Sequence, residues 1–539
     1  MQIITQRVAQ IVNLARQSGY ISPDHAISIA GDILETRPLP PEFTRLAPAL
    51  IRQASIYNPF ERETVRLASQ ITEQTGNPPF AKWVAMALNM TNSEPVPENI
   101  PYPDIETASA DDFVAYMEAQ EANVDRLPIL THLWQTGERD GLLRAIEIMA
   151  ASQAGMLAAP IMAWGAYGAG ETHLAQMLLD EGVENFIGLN LRARLALDDG
   201  QTDLAMTNLI MSLDHEPFQP AVIELLAELT AAAELPIPDD DTHICLYTWN
   251  KPDLLTQTME SLAATDTGRA QVTILNNGTT TCSPEEMEQR VKAVAPNLAV
   301  NFIHLPVNIG APAARNWLLA LPEVQAAKYV AFLDDDVLLP KHWLRRYIAT
   351  LDAFPEATAV GPKCVNQGVR TIQYAFRNFQ EIGELKIRFT ANAPTLLDMG
   401  QFNSARPSLT VMGCCHLFHM ERMNALSVPG FDIRFSPSQV DDIEHDLQVW
   451  KAGGQVIYDG GVEVIHLQDT GKGKKQTSAS IGQAYANHYK MERKFSLPEL
   501  ERMDKAMRAA DEAHFKRAVD AAMPVLSEPA KNFWKMIGE

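Results

Sequence analysis

Tyr329-Val-Ala-Phe-Leu333 runs straight into Asp334-Asp335-Asp336, and the fold can be read from this octet outward. Five apolar residues make a short buried strand, and three carboxylates end it. On an extended chain, residues i and i+2 point to the same face, so Asp334 and Asp336 can aim at one site. Such a pair suits a hard divalent cation, Mg²⁺ or Mn²⁺, that also holds a diphosphate. The alternative is a solvated acidic turn, and the apolar strand feeding the triplet argues against it. Upstream, the same grammar repeats. His243 to Thr248 reads as a strand with a helix from about Asp253 to Ala263. Gln271 to Leu275 is followed by a helix from about Glu285 to Val294. Leu298 to His304 is followed by Gly310 and a helix to Leu321. This alternation predicts an α/β domain with a doubly wound, mostly parallel sheet and its ligands at the carboxyl ends of the strands.

Downstream come Gly413-Cys-Cys-His, then Gly430-Phe431-Asp432-x-x-Phe435, then Val440-Asp441-Asp442, and finally Val464-Ile-His466. Asp441 and Asp442 open a helix, where the dipole favours an ionised carboxylate. A carboxylate beside a substrate hydroxyl is a workable general base, while capping a helix is the other thing Asp does well there. The residues alone leave both readings open. His466, after the strand Val462 to Ile465, is a metal ligand or a packed core histidine, and spacing alone favours the core.

Taken together, these blocks resemble the inverting nucleotide-sugar glycosyltransferases of family two, which have the GT-A fold. The resemblance runs in order from His243 to His466. Thr248-Trp-Asn250-Lys is similar to the family's Thr-Tyr-Asn-Arg segment at the nucleotide pocket. Asn276-Asn277-Gly278-Thr279 falls where the family has Asp-Asn-Gly-Ser, whose first Asp commonly binds the base. Asn308-x-Gly310 through Ala314-Arg315-Asn316 matches the block lining the donor site. The resemblance implies donor binding by Thr248, Asn250, Asn276, Asn277, Gly310, Arg315, Asp334 and Asp335. It implies a metal on Asp334, Asp336 and His466. Asp441-Asp442 matches the family's Glu-Asp block, whose second acid is the usual base, so the resemblance implies Asp442 as the catalytic base with Asp441 beside it. Processive synthases of the family carry Gln-x-x-Arg-Trp and membrane spans. Gln448-Val-Trp450 lacks that arginine, which favours a single transfer.

The first half speaks differently. Residues 1 to 235 hold 13 basic and 31 acidic side chains, a balance of −18, and the remainder holds 31 and 36, a balance of −5. The break falls at Glu234-Leu-Pro-Ile-Pro-Asp-Asp-Asp241, where two prolines and three aspartates suit a linker. Before it, apolar residues recur at helical spacing between proline-rich breakers. Phe186 to Pro217 resembles a tetratricopeptide unit, with Gly200 at the turn and Ala205, Leu209 and Leu213 stacked four apart. A generic helical bundle is the plainer alternative. The expected division is an all-α repeat-like domain over 1–236, a GT-A domain over 237–470, and a basic loop with a helical extension over 471–539.

Composition narrows the function classes. A net charge of −23 over 539 residues argues against nonspecific nucleic-acid binding. Five cysteines without a C-x-x-C fit a reducing compartment rather than a disulfide framework or zinc ribbon. The N-terminus reads as no signal peptide. The most apolar run, Gly155 to Gly170, contains Pro160 and is too short to span a bilayer. A cytoplasmic enzyme is expected. The expected reaction is a metal-dependent inverting transfer of one sugar from a nucleotide sugar to an acceptor hydroxyl. A helical-repeat domain suggests a protein acceptor, such as a flagellin-like surface protein, or a site of self-association. A glycan or lipid-linked acceptor is the competitor. Thr470-Gly-Lys-Gly-Lys-Lys475 reads as a lid over the donor or a solvated linker. Two rival classes are a sugar nucleotidyltransferase, which wants a Gly-rich loop with Arg after the first strand, and a non-catalytic scaffold, which Asn276 alone favours.

Overall fold

In the computed structural model, period-two alternation sorts each strand's side chains between two cores. The structure describes all residues except 1, 19–20, 37–39, 94, 96, 232–234, 383–384, 392–396, 468–477 and 539. In β1 (Thr242–Thr248), Ile244 and Leu246 join the core on one face of the sheet, while Cys245 joins the other. The decisive strand, here β4 (Tyr329–Leu333), does the same: Tyr329, Ala331 and Leu333 go one way, Val330 and Phe332 the other. Such two-sided burial is what a central strand with helices on both faces requires.

The remaining strands are β2 (Gln271–Asn277), β3 (Val300–Leu305), β5 (Val337–Leu338), β6 (Ala357–Asn366), β7 (Ile372–Tyr374), β8 (Arg377–Ile382), β9 (Leu385–Ala391), β10 (Ala405–Pro407), β11 (Cys415–His419) and β12 (Gln455–His466). The main sheet runs β10-β12-β6-β11-β4-β1-β2-β3, with β5 on β12 and β7 on β6, and β8 and β9 form a separate hairpin. The pairs β3-β2, β2-β1, β1-β4 and β6-β12 are parallel, and β11 is inserted antiparallel between β4 and β6. Helices Pro252–Ala263, Pro284–Val294 and Trp343–Ala353 bury their apolar stripes on one face. Ala311–Leu319 and Asp441–Lys451 cover the other. This is the α/β, mostly parallel, doubly wound architecture expected of a GT-A domain. The strand read at Val462 to Ile465 is the end of the longer β12, whose pairing with β6 shifts register between Asp459 and Glu463.

Among the described residues, thirteen α-helices precede the sheet, from Gln2–Ser18 to Pro220–Ala231. Phe186–Asp198 and Thr202–His215 flank Gly200, which takes φ +72°, and Ala205, Leu209 and Leu213 are buried. The C-terminal helices join the two halves. Ser478–Lys494, the link after it and the start of Leu497–Ala522 bury Met491, Phe495 and Leu500 respectively in a core of the sheet. The far end of Leu497–Ala522, with Glu528–Gly538, buries Ala518, Ala522 and Trp534 in the core of the helical half. Twenty-six residues of helix span about 39 Å, enough to reach from one core to the other. The basic run at 470–475 lies outside the described residues.

Candidate active site

Parallel pairing of β2, β1 and β4 sets Thr248 beside Asn276 and Leu246 beside Leu333. The carboxyl ends of three strands therefore converge on Asp334-Asp335-Asp336. β12 arrives from 130 positions later in the chain: His466 pairs with Val337 of β5 and Asn366 of β6. Ligand atoms of Asp334, Asp336 and His466 all lie within 4.8 Å of one another. His466 Nε2 sits 3.2 Å from Asp336 Oδ1 but off hydrogen-bonding geometry, so the contact is electrostatic. Its Nδ1 lies 2.6 Å from Gln373 Oε1, and Gln373 Nε2 donates to Asn366 Oδ1 at 3.1 Å. A carbonyl acceptor at Nδ1 places that ring proton and leaves Nε2 directed at the carboxylates, the arrangement by which outer residues orient a ligating histidine.

The electrostatics favour a cation at this point. Burial raises Asp334 despite Arg315, with Asp336 adding to the rise. Burial likewise lifts Asp335 to about 6, against the pull of Lys251. For Asp336, burial is outweighed by His466 and Lys251, which hold it down at about 2. Burial opposes charge on His466, yet Asp336 raises its proton affinity overall. Two carboxylates and an imidazole with a buried nitrogen aimed between them are a donor set that fits Mg²⁺ or Mn²⁺.

Lys251 is the member that sequence reasoning left without a role. Its Nζ lies 2.7 Å from Asp336 Oδ2 and 3.4 Å from Asp335 Oδ1. The signal was available, since a basic residue occupies the same place in the Thr-x-Asn-Lys segment. Gln373 carried no signal at all. Tyr247 was also unremarked, and its hydroxyl donates to Asp334 Oδ1 at 3.1 Å.

The other expected residues assemble around this centre. Thr248 is buried and donates to Asp335 Oδ2 at 2.6 Å. Asn250, at φ +56°, accepts from Thr280 N–H at 2.8 Å, while its own N–H donates to Thr279 Oγ1 at 3.1 Å. Asn276 accepts from Thr279 N–H at 2.9 Å, and its Nδ2 lies 3.1 Å from His304 Nδ1. Asn277 donates to Asn308 Oδ1 at 3.0 Å and accepts from Ile309 N–H at 2.9 Å. Gly310 caps the helix Ala311–Leu319 at φ +85°, where a Cβ would come within 2.8 Å of Ser436 Oγ. These contacts stitch the loops after β1, β2 and β3 to one another.

Arg315 is buried, with its guanidinium over the rings of Tyr247 and Phe431 at 5.2 and 5.1 Å. Its Nη1 lies 2.5 Å from Asp441 Oδ2 and its Nη2 3.3 Å from Asp334 Oδ1. It is thus a strut between the acidic triplet and the Asp441-Asp442 pair. Asp441 is buried, and burial lifts it to about 6 in spite of Arg315. Asp442 is half-buried and accepts from Gly413 N–H at 3.0 Å. Trp249 and Val307 flank the neighbouring loops and are half or more exposed.

Residues 243–422 match the family model described as Glycosyl transferase family 2. The match ends before Asp441, Asp442 and His466, which the tertiary fold brings to the triplet through Arg315 and the end of β12. Two solved structures are similar. A mannosyltransferase from Pyrobaculum calidifontis in complex with GDP-Man and Mn²⁺ shares 17% identity at a TM-score of 0.35, covering 61% of this chain and 90% of that one. GalNAc-T7 with UDP, GalNAc and Mn²⁺ shares 13% identity at a TM-score of 0.37, covering 57% of this chain and 55% of that one. A comparison with curated proteins returns no match. Among the described residues, no helix is long and apolar enough to cross a membrane.

Proposed function

We propose that this glycosyltransferase performs a metal-dependent, inverting transfer of a single sugar from a nucleotide-sugar donor to an acceptor hydroxyl. The observation that carries this reading is the convergence of Asp334, Asp336 and His466 on one point, with Arg315 tying that point to Asp441-Asp442. Asp334, Asp336 and His466 would hold a divalent cation, which would supply positive charge against the diphosphate leaving group. Lys251, paired with Asp336 and Asp335, would add a second positive charge at the same point. Asp441 is engaged by Arg315, so the proton of the attacking hydroxyl falls to the half-buried Asp442. Thr248, Asn250, Asn276, Asn277 and Gly310 shape the loops that receive the nucleotide. We take the acceptor to be a protein chain, such as a flagellin-like surface protein modified in the cytoplasm. The acidic helical half, joined to the catalytic core through the C-terminal helices, would be its docking part.

The test is a panel of UDP-, GDP- and dTDP-sugars with Mn²⁺ or Mg²⁺, reading released nucleoside diphosphate. One donor is expected to be hydrolysed slowly in a metal-dependent way, and Asp336→Ala should abolish this. Asp442→Asn should keep donor affinity and lose turnover by about 100-fold or more. Near-normal transfer by Asp442→Asn would move the base elsewhere. Silence across the panel, with no thermal shift from donor and metal, would leave the scaffold reading standing. Transfer to a glycan or lipid-linked acceptor and not to protein would overturn the acceptor assignment alone.

A further inference from the structure

The segment that delivers Asp441 and Asp442 to the site does not hold its own shape. Gln439 and Val440 both take positive φ, at 78° and 71°. These are conformations that side-chain-bearing residues rarely adopt, a β-branched residue least of all. Two such residues in a row persist only where the surroundings over-determine them. Backbone carbonyls of this segment turn toward one side chain from the C-terminal extension. Asn487 is fully buried, and its Nδ2 lies 3.2 Å from Phe435 O, 2.9 Å from Ser438 O and 3.1 Å from Gln439 O.

The amide is itself held in place. Lys490 Nζ donates to Asn487 Oδ1 at 3.0 Å and to Arg434 O at 2.7 Å. One turn further, Lys494 Nζ lies 2.5 Å from both Asp432 Oδ2 and Glu444 Oε1. That ammonium ties the start of the segment to the helix carrying both acids. One turn earlier, Gln483 Nε2 donates to Ser438 O at 3.0 Å. Positions 483, 487, 490 and 494 follow helical spacing, so a single face of Ser478–Lys494 makes every one of these contacts.

We propose that this face, with Asn487 at its centre, is a positioning element of the active site that locks residues 432–440 so that Asp441 meets Arg315 and Asp442 meets Gly413. The proposal rests on the reading of Asp442 as the base, and it makes the C-terminal extension part of the catalytic apparatus. Asparagine suits the position because it is an uncharged double donor facing carbonyls. A carboxylate there would repel them, and alanine would leave them unsatisfied in a buried place. Asn487 touches no reacting atom, so its effect runs entirely through the segment.

Asn487→Ala in the full-length chain tests this by two measurements. In hydrogen exchange read by mass spectrometry, peptides covering 435–444 are expected to exchange at least tenfold faster, with β1 to β4 unchanged. On whichever donor the panel identifies, kcat is expected to fall 10- to 100-fold, while donor KM and the affinity for the Mn²⁺ nucleoside diphosphate stay within twofold. Wild-type exchange at 435–444 overturns the proposal, as does a uniform rise that includes β1 to β4. A wild-type enzyme silent on every donor sinks the transferase reading, and the exchange experiment still decides this one. Should Asn487→Ala fail to fold, Lys490→Met and Lys494→Met are read in the same way, and unchanged exchange in both overturns the proposal.

Discussion

Gly413 approaches Asp442 so closely that only a hydrogen fits between them. A Cβ there would lie 2.6 Å from Asp442 Cβ and 3.0 Å from its Oδ2, and Gly413 N–H already donates to that oxygen. Gly413→Ala should therefore push the carboxylate out of place with little cost to the rest of the fold. Displacements of about 1 Å cost roughly 100-fold in rate, so a fall in kcat of about 10- to 100-fold is expected, with Tm within a few degrees of wild type. A variant with full activity would show that the carboxylate's place is not critical. At this scale Asp334 and Asp336 do converge on one point, but across a turn beyond the end of β4 and not along the extended chain that the sequence suggests. The sequence was a poor guide to His466, which reads as core by spacing and acquires its meaning from β12 pairing with β5 and β6. Lys251 stood in a quoted motif, but its ion pairs with Asp335 and Asp336 span more than 80 residues.

Among the elements, the turn into Asp441–Lys451 poses a conflict that magnitudes resolve. Val440 at φ +71° stores roughly 1–2 kcal/mol that glycine would release. Its side chain, however, is buried in a core of the sheet, which is worth about 1.5–3 kcal/mol, and glycine costs a further ~0.5–1 kcal/mol in unfolded-state entropy. Val440→Gly should consequently lower the unfolding free energy by about 1–2 kcal/mol in a urea titration. A stabilised variant would mean that packing contributes less to this turn than its strain takes away. Elsewhere the elements were legible. The helices read from about Asp253 and about Glu285 are Pro252–Ala263 and Pro284–Val294. β12 was read only in part, since Gly460 and Gly461 look like a break. They are instead close approaches: a Cβ at Gly460 would meet Phe402 O at 1.9 Å, and one at Gly461 would meet Arg346 Cζ at 2.0 Å.

Across the whole molecule, buried ion pairs join segments that the sequence separates by hundreds of residues. Arg16 lies 2.6 Å from Glu224 and 2.7 Å from Asp511, and Arg406 lies 2.6 Å from the other oxygen of Asp511. The first helix, the last helix before the sheet, β10 and the C-terminal extension thus meet at one point. Arg16→Ala would strand Glu224 in a buried place and leave Asp511 with Arg406 alone, and a loss of about 3–5 kcal/mol is expected from denaturant unfolding. A loss below about 1 kcal/mol would show that the network is dispensable. Glu463 of β12 makes a second link, 2.8 Å from Lys363 and 3.9 Å from Arg194 of the helical half. Burial alone would raise its carboxyl, but Lys363 and Arg194 outweigh it and hold it at about 2 against an ordinary 4.5. The stabilisation is present above pH 4.5 and is lost as pH falls toward 2. The Tm advantage of wild type over Glu463→Gln, worth about 3 kcal/mol at neutral pH, should shrink between pH 5 and pH 3. A constant gap would rule out the linkage.

By itself the sequence determined the strand and helix alternation, the acidic end of β4, the two acids at the start of a helix, and the contrast between an all-helical first half and an α/β second half. Each is a matter of near neighbours, set by side-chain period and by capping chemistry within a few residues. Tertiary structure decided the rest: that His466 and Gln373 close the cluster begun by Asp334, that Arg315 bridges the two acidic groups, and that Asn487 grips the segment leading to Asp441. Those partners are between 19 and 132 positions apart in the chain. What places them is the order and register of strands and the packing of helices across the sheet, which local periodicity does not encode.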